Sequence, residues 1–129
     1  MKFMLMMHAP RGEGDWQILR WPPEALKAHI QFMKNLNAEL KESGELVGCE
    51  GLAEPARAKI VRANARGFEV TDEPFAEAKE FLAGYWIVDC DTAERAYAIA
   101  GKASTAPGID GKPIGIPIEV REVMKAPPV

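Results

Sequence analysis

The stretch from Pro23 to Ser43, "PEALKAHIQFMKNLNAELKES", most constrains what this chain can become. Leu26, Ile30, Met33, Leu36 and Leu40 recur every three or four residues, while Lys27, Gln31, Lys34, Asn35 and Glu42 fall on the opposite side. Pro23 can take the first helical position without losing a needed N–H, Glu24 complements the helix dipole, and Gly44 offers a stop. A helix with a single apolar stripe must lie on something, and the flanking sequence says what. The run "KFMLMMH" (2–8) is almost wholly apolar and too short for a typical helix, so it reads as a strand that is covered on both faces or central in a sheet.

The remaining patterns continue the alternation. "ELVGCEGLA" (45–53) reads as a strand whose glycines suggest a bulge or the close approach of another backbone. "AKIVRANARGFEVTD" (58–72) reads as two short strands about a turn at Asn64 to Gly67, and "GYWIVDC" (84–90), rich in aromatic and β-branched residues, as the next strand. Asp91 and Glu94 suggest an acidic capping box for a helix from Thr92 to about Ala103, with Ala93, Ala96, Tyr97 and Ala100 as its packing face. After a glycine- and proline-rich loop, "IEVREVM" (118–124) alternates apolar and charged residues as a final strand should. This order predicts an α+β, ferredoxin-like split βαβ fold with an added hairpin, its helices on one face of the sheet. No third long helix remains for the other face, and a second copy of the chain is the simplest cover.

Composition narrows the function classes. The 129 residues, 47% hydrophobic, suit a single domain spanning 1–129 with its own core. A formal charge of −3 supplies no basic field, so neither nucleic acid nor an anionic membrane is an expected partner. The apolar start ends at His8, too short to span a bilayer and without a following cleavage site. Cys49 and Cys90 match no metal-ligand spacing and read as reduced cysteines of a cytoplasmic protein. The sequence shows no phosphate-binding glycine loop, no nucleophile elbow and no metal-ligand cluster, so neither cofactor nor metal is expected.

The segments "TDEPFAEAKE" (71–80) and "GYWIVDCD" (84–91) resemble the signature of the YCII-related family, in particular its DGPF branch, with "MKFMLMM", "ELVGCEGLAEP" and "IEVREVM" extending the resemblance along nearly the whole chain. Glu73 stands where that motif has a glycine. The resemblance implies a ferredoxin-like domain that pairs sheet to sheet into a dimeric α+β barrel. It also implies a tie to sigma-factor regulation, through a sigma-factor-associated protein partner, and relatives that bind or transform small molecules without a cofactor. A barrel supplies a cavity and leaves the reaction open.

Two readings of the polar residues stand side by side. In one, Asp72 accepts N–H bonds within its own turn, Pro74 fixes that turn, Phe75 plugs the core, and Glu77, Lys79 and Glu80 form a solvated charge cluster. In the other, Asp72 is a carboxylate base and His29, inside the apolar arc of the first helix, is its acid–base partner. Asp89 is the alternative partner for that histidine. His8 ends the first strand and opens a loop to Pro22 that carries Arg11, Asp15, Trp16 and Trp21 and suits a lid. Tyr85 and Asp89 share one strand face with Ile87, opposite Trp86, Val88 and Cys90, so one of these sets faces a cavity. Arg121 is an anion anchor if it points inward and a solvated side chain if outward. The expected ligand-handling residues are therefore His8, Trp16, Tyr85, Asp89 and Arg121. The expected function is a homodimeric small-molecule- or partner-binding module, with a cofactor-independent isomerase, lyase or oxygenase-like enzyme as the alternative.

Overall fold

A computed structural model describes residues 1–11, 18–72 and 79–128. Strand β1 (Lys2–Pro10) leads into helix α1 (Pro23–Glu42) and strand β2 (Leu46–Gly51). A hairpin of β3 (Lys59–Asn64) and β4 (Gly67–Asp72) follows, then β5 (Glu80–Asp89), α2 (Ala93–Ser104) and β6 (Ile118–Glu122). Four strands form one antiparallel sheet in the order β2-β5-β1-β6, and β3 and β4 form a separate two-stranded ribbon. With the hairpin set aside, this is the ferredoxin-like arrangement that the pattern predicts.

The alternation of β1 shows why only one sheet face is covered. Phe3, Leu5, Met7 and Ala9 are buried, while Met4, Met6 and His8 between them are half-buried. The first set packs with Trp86, Val88 and Cys90 of the β5 region against Leu36 and Leu40 of α1 and Ala96, Ile99, Ala100 and Ala103 of α2. Burying such side chains contributes about 1.5–3 kcal/mol for each large one, so this layer carries the fold. Trp86 also donates its indole N–H to Asn37 Oδ1 at 2.8 Å, which ties β5 to α1. The face that carries Tyr85, Ile87 and Asp89 is thereby identified as the one turned away from the helices.

Local chemistry sets the ends of the helices. At α1, Gly44 takes φ +80°, Glu45 N–H bonds Leu40 O at 3.0 Å and Gly44 N–H bonds Lys41 O at 3.1 Å, a Schellman ending of the kind that glycine permits. The cap of α2 is Thr92 and not Asp91: Thr92 is extended and its hydroxyl accepts the N–H of Arg95 at 3.1 Å, which puts Glu94 one position too early for a capping box. The helix faces also shift by one step. In α1, His29 is buried at 3% exposure while Ile30 is 41% exposed, and in α2 Ile99 turns inward while Tyr97 is 56% exposed.

Strand β5 begins at Glu80, four residues before the glycine expected to open it. Strand β1 runs on past a bulge at Met7/His8, so Phe81 and Leu82 find partners in Ala9 and His8. The close approach foreseen for the glycines of β2 occurs instead at Gly84, where a Cβ would lie 2.9 Å from the Glu50 carbonyl oxygen. Strand β2 does carry a bulge, between Leu46 and Gly48. In the hairpin, Ala65 and Arg66 form the loop; Asn64 Oδ1 accepts the Arg66 N–H at 2.9 Å, and Gly67 takes the positive φ of 127°. No helix among the described residues is long and apolar enough to cross a membrane.

Candidate functional site

Register brings together groups that lie far apart in the chain. On the open face Met4 sits between Ile87 and Arg121, and Met6 between Tyr85 and Glu119. Two residues further along β1, beyond the bulge, His8 Nε2 lies 3.0 Å from Glu119 Oε1. Arg121 Nη2 donates to the other oxygen of the same carboxylate. The hydrogen bond from His8, with help from Arg121, holds the Glu119 carboxyl below its ordinary range, so it is an ionised acceptor at neutral pH. That fixes Nε2 as the donor and leaves Nδ1 as the second ring nitrogen, without a hydrogen bond among the described residues.

His8 also occupies the partition between two clefts. One, of about 310 Å³, is lined by His8, Pro10, Glu80, Ile114, Ile116 and Pro117. The other, of about 540 Å³, joins His8 and Glu80 to Leu52, Phe81 and Leu82, with Arg11 and Arg57 on its rim. An imidazole held by a carboxylate, beside apolar walls, can donate, accept or transfer a proton.

The other expected residues fall in different places. His29 belongs to the helix layer: its Nδ1 lies 2.9 Å from Pro107 O, and its ring meets Trp21 edge-on at 5.5 Å between centroids. A carbonyl only accepts, so Nδ1 carries the proton, and burial pushes the imidazole pKa below its usual value, partly offset by this bond. Asp72 ends the hairpin with a fully solvated side chain paired to Lys59, which holds its carboxyl below the usual range. Its partner among the described residues is a lysine across the ribbon, and no contact among them joins it to His29; the turn that follows it lies outside the described residues. Asp89 lies on the open face at the far end of β5 and pairs with the amino group of Met1 at 3.1 Å. Tyr85 and Arg121 share that face, and Trp21 is buried at 5% exposure. Trp16, Asp15, Glu73, Pro74, Phe75 and Glu77 lie outside the described residues.

Glu119 was missed from sequence. The alternation of "IEVREVM" puts it on the face of Arg121, but only the β1–β6 register sets it beside His8. Cys49 and Cys90 are both free, and burial pushes both thiols up, towards the unreactive protonated form. No group of His, Cys, Asp and Glu suited to a metal ion occurs among the described residues.

A four-stranded antiparallel sheet with two helices on one face and a histidine–carboxylate pair on the other defines a ferredoxin-like α+β protein with an open, functionalised sheet. The model of the YCII-related domain matches residues 1–109, and the chain belongs to that family. It is also similar to an uncharacterised protein of Rhizobium meliloti (strain 1021), 29% identical over 86 residues that cover 67% of this chain and 69% of the relative.

Proposed function

We propose that this chain, a member of the DGPF branch of its family, acts in the cytoplasm as a homodimeric small-molecule-binding module whose ligand sits at the His8 end of the open sheet face. The observation that carries the reading is His8 itself, oriented by Glu119 and shared by two adjoining clefts. The apolar walls, Leu52, Phe81 and Leu82 on one side and Ile114 and Ile116 on the other, suit the body of a small, mainly apolar compound, and His8 suits a polar group on it. The half-buried stripe of Met4, Met6, Tyr85 and Ile87 supports pairing of two open faces, because a second sheet would take it out of water. A tie to sigma-factor regulation rests on the family resemblance alone, and co-purification with sigma-factor-associated proteins tests it.

The test is a thermal-shift screen of small carboxylates, phenols and lactones, followed by titration of any stabilising compound into wild type and His8→Gln. Binding should weaken at least tenfold in the variant, about 1.4 kcal/mol, with its folding intact. Absence of any stabilising compound, or affinity within twofold in His8→Gln, overturns the reading.

The same geometry favours one alternative, a cofactor-independent enzyme in which His8 Nδ1 takes a proton from the bound compound while Glu119 holds the ring. This places the acid–base pair at His8 and Glu119 instead of at His29 with Asp72 or Asp89. Turnover of a stabilising compound that falls about a hundredfold or more in His8→Gln would select it.

A further inference from the structure

Arg57 stands exposed on the rim of the larger cleft, and its guanidinium makes no ion pair and no side-chain hydrogen bond among the described residues. Glu80, which lines the same cleft, is likewise without such a partner among them. Leu52 is 48% exposed on the cleft wall, although its own N–H hooks it to Ala83 O of β5 at 2.8 Å. Apolar side chains left open beside a few unspent polar groups are the composition of a ligand pocket.

The sheet order sets the distance across this cleft. His8 lies on β1, and the segment that carries Leu52 and Arg57 follows β2, with β5 between them. Two strand spacings come to roughly 10 Å. The Arg57 N–H bonds Glu54 O and the Ala58 N–H bonds Pro55 O, both at 2.9 Å, so a single 3-10 turn at Pro55–Arg57 fixes the backbone from which the guanidinium reaches the rim. The cleft thus has an imidazole at one end, a guanidinium at the other and the side chains of Leu52, Phe81 and Leu82 along its wall.

The two ends require opposite partners. A guanidinium only donates, and its planar fork fits a carboxylate. At the other end His8 Nε2 is committed to Glu119, so an unprotonated ring presents Nδ1 as an acceptor, and the Glu80 carboxylate also accepts. A compound that satisfies both ends carries a carboxylate at one and a hydroxyl at the other, with one ring or a short apolar chain between them. Glu54 and Glu80 balance Arg11 and Arg57 in formal charge around the cleft, which disfavours a dianion such as phosphate.

We infer that the larger cleft selects hydroxy monocarboxylic acids, with Arg57 binding the carboxylate and His8 Nδ1 accepting from the hydroxyl. This rests on the small-molecule reading of the His8 site and adds a second polar group to its ligand, the anion at Arg57.

Calorimetric titration of 4-hydroxyphenylacetate and of its methyl ester into wild type, Arg57→Gln and His8→Gln tests the assignment. Wild type should bind the acid at least tenfold tighter than the ester, and this preference should fall to within about threefold in Arg57→Gln. The melting temperature of that variant should match wild type, because the guanidinium holds no other element among the described residues. In His8→Gln both compounds should weaken while the preference for the acid persists. Equal binding of acid and ester to wild type, or a preference that survives in Arg57→Gln, overturns the carboxylate assignment; weaker binding of the ester to His8→Gln would then still uphold the small-molecule site. Failure of the acid to bind wild type at millimolar concentration also overturns the inference. The comparison of acid with ester needs no substitution, so a misfolded variant does not spare the proposal.

Discussion

Replacing His29 distinguishes a buried structural histidine from a working one. In His29→Ala the donor to Pro107 O is lost, about 1 kcal/mol, and a ring that is 3% exposed and packed edge-on against Trp21 leaves a cavity worth roughly another 2 kcal/mol. The expected loss is about 3 kcal/mol, or roughly 10 °C in melting temperature for a domain of this size. His29→Gln, which keeps a donor and much of the volume, should lose only about 1 kcal/mol.

The pH dependence adds a signature that packing alone would not produce. Burial lowers the folded-state pKa of His29 below its ordinary 6.5, so the unfolded chain takes up this proton first as pH falls. The stability owed to the neutral ring is complete above pH 6.5. It declines as pH drops from 6.5 towards the lowered folded value, then levels off. Urea denaturation of wild type and His29→Gln at intervals between pH 7.5 and 5 reads this directly: the gap should narrow on acidification, because the glutamine cannot titrate. A His29→Gln protein as stable as wild type, with the same slope of stability against pH, would refute the buried neutral histidine. Ligand affinity that changes more than about threefold in that variant would instead return His29 to the site.

Two further expectations concern the scaffold. Gly84→Ala would place a methyl group 2.9 Å from the Glu50 carbonyl oxygen, so β2 and β5 must part; the expected cost is about 2 kcal/mol in chemical denaturation, and a loss below about 0.5 kcal/mol would contradict the close approach. Glu45 receives two 2.8 Å bonds from Arg95, at Oε2 from Nε and at Oε1 from Nη2, and these above all lower its pKa from 4.5 to about 2. Its contribution is present above pH 4.5 and is lost as pH falls towards 2. Glu45→Gln should therefore be less stable than wild type by roughly 1 kcal/mol at pH 7, a value reduced for solvent screening, and the two should converge near pH 2; a gap independent of pH would show that the ion pair contributes nothing.

What could be read in advance follows from the range over which sequence patterns act. Periodicity along one element is local, so the helix in 23–43, the strand at 2–8, the hairpin in 58–72 and their ferredoxin-like order were all legible. Residues near the edge of an apolar stripe were less so, because a helix can roll by a fraction of a turn to bury His29 and half-bury Phe32 at the expense of Ile30, and the periodicity treats these positions alike. The register between strands distant in the chain was not legible. Strands β1 and β6 are separated by nearly the whole chain, and a shift of one residue in their register would turn Glu119 away from His8 to the opposite face of the sheet. The same distinction explains why the candidate histidine changes. The place of His29 within an apolar arc signalled burial, and a desolvated imidazole that gives its Nδ1 proton to a backbone carbonyl is held neutral by the fold. His8 had no such local signal, yet a strand end at a bulge, with one nitrogen on a carboxylate and clefts on both sides, gives it both an orientation and access. Burial without access serves the scaffold, whereas orientation with access can serve a ligand.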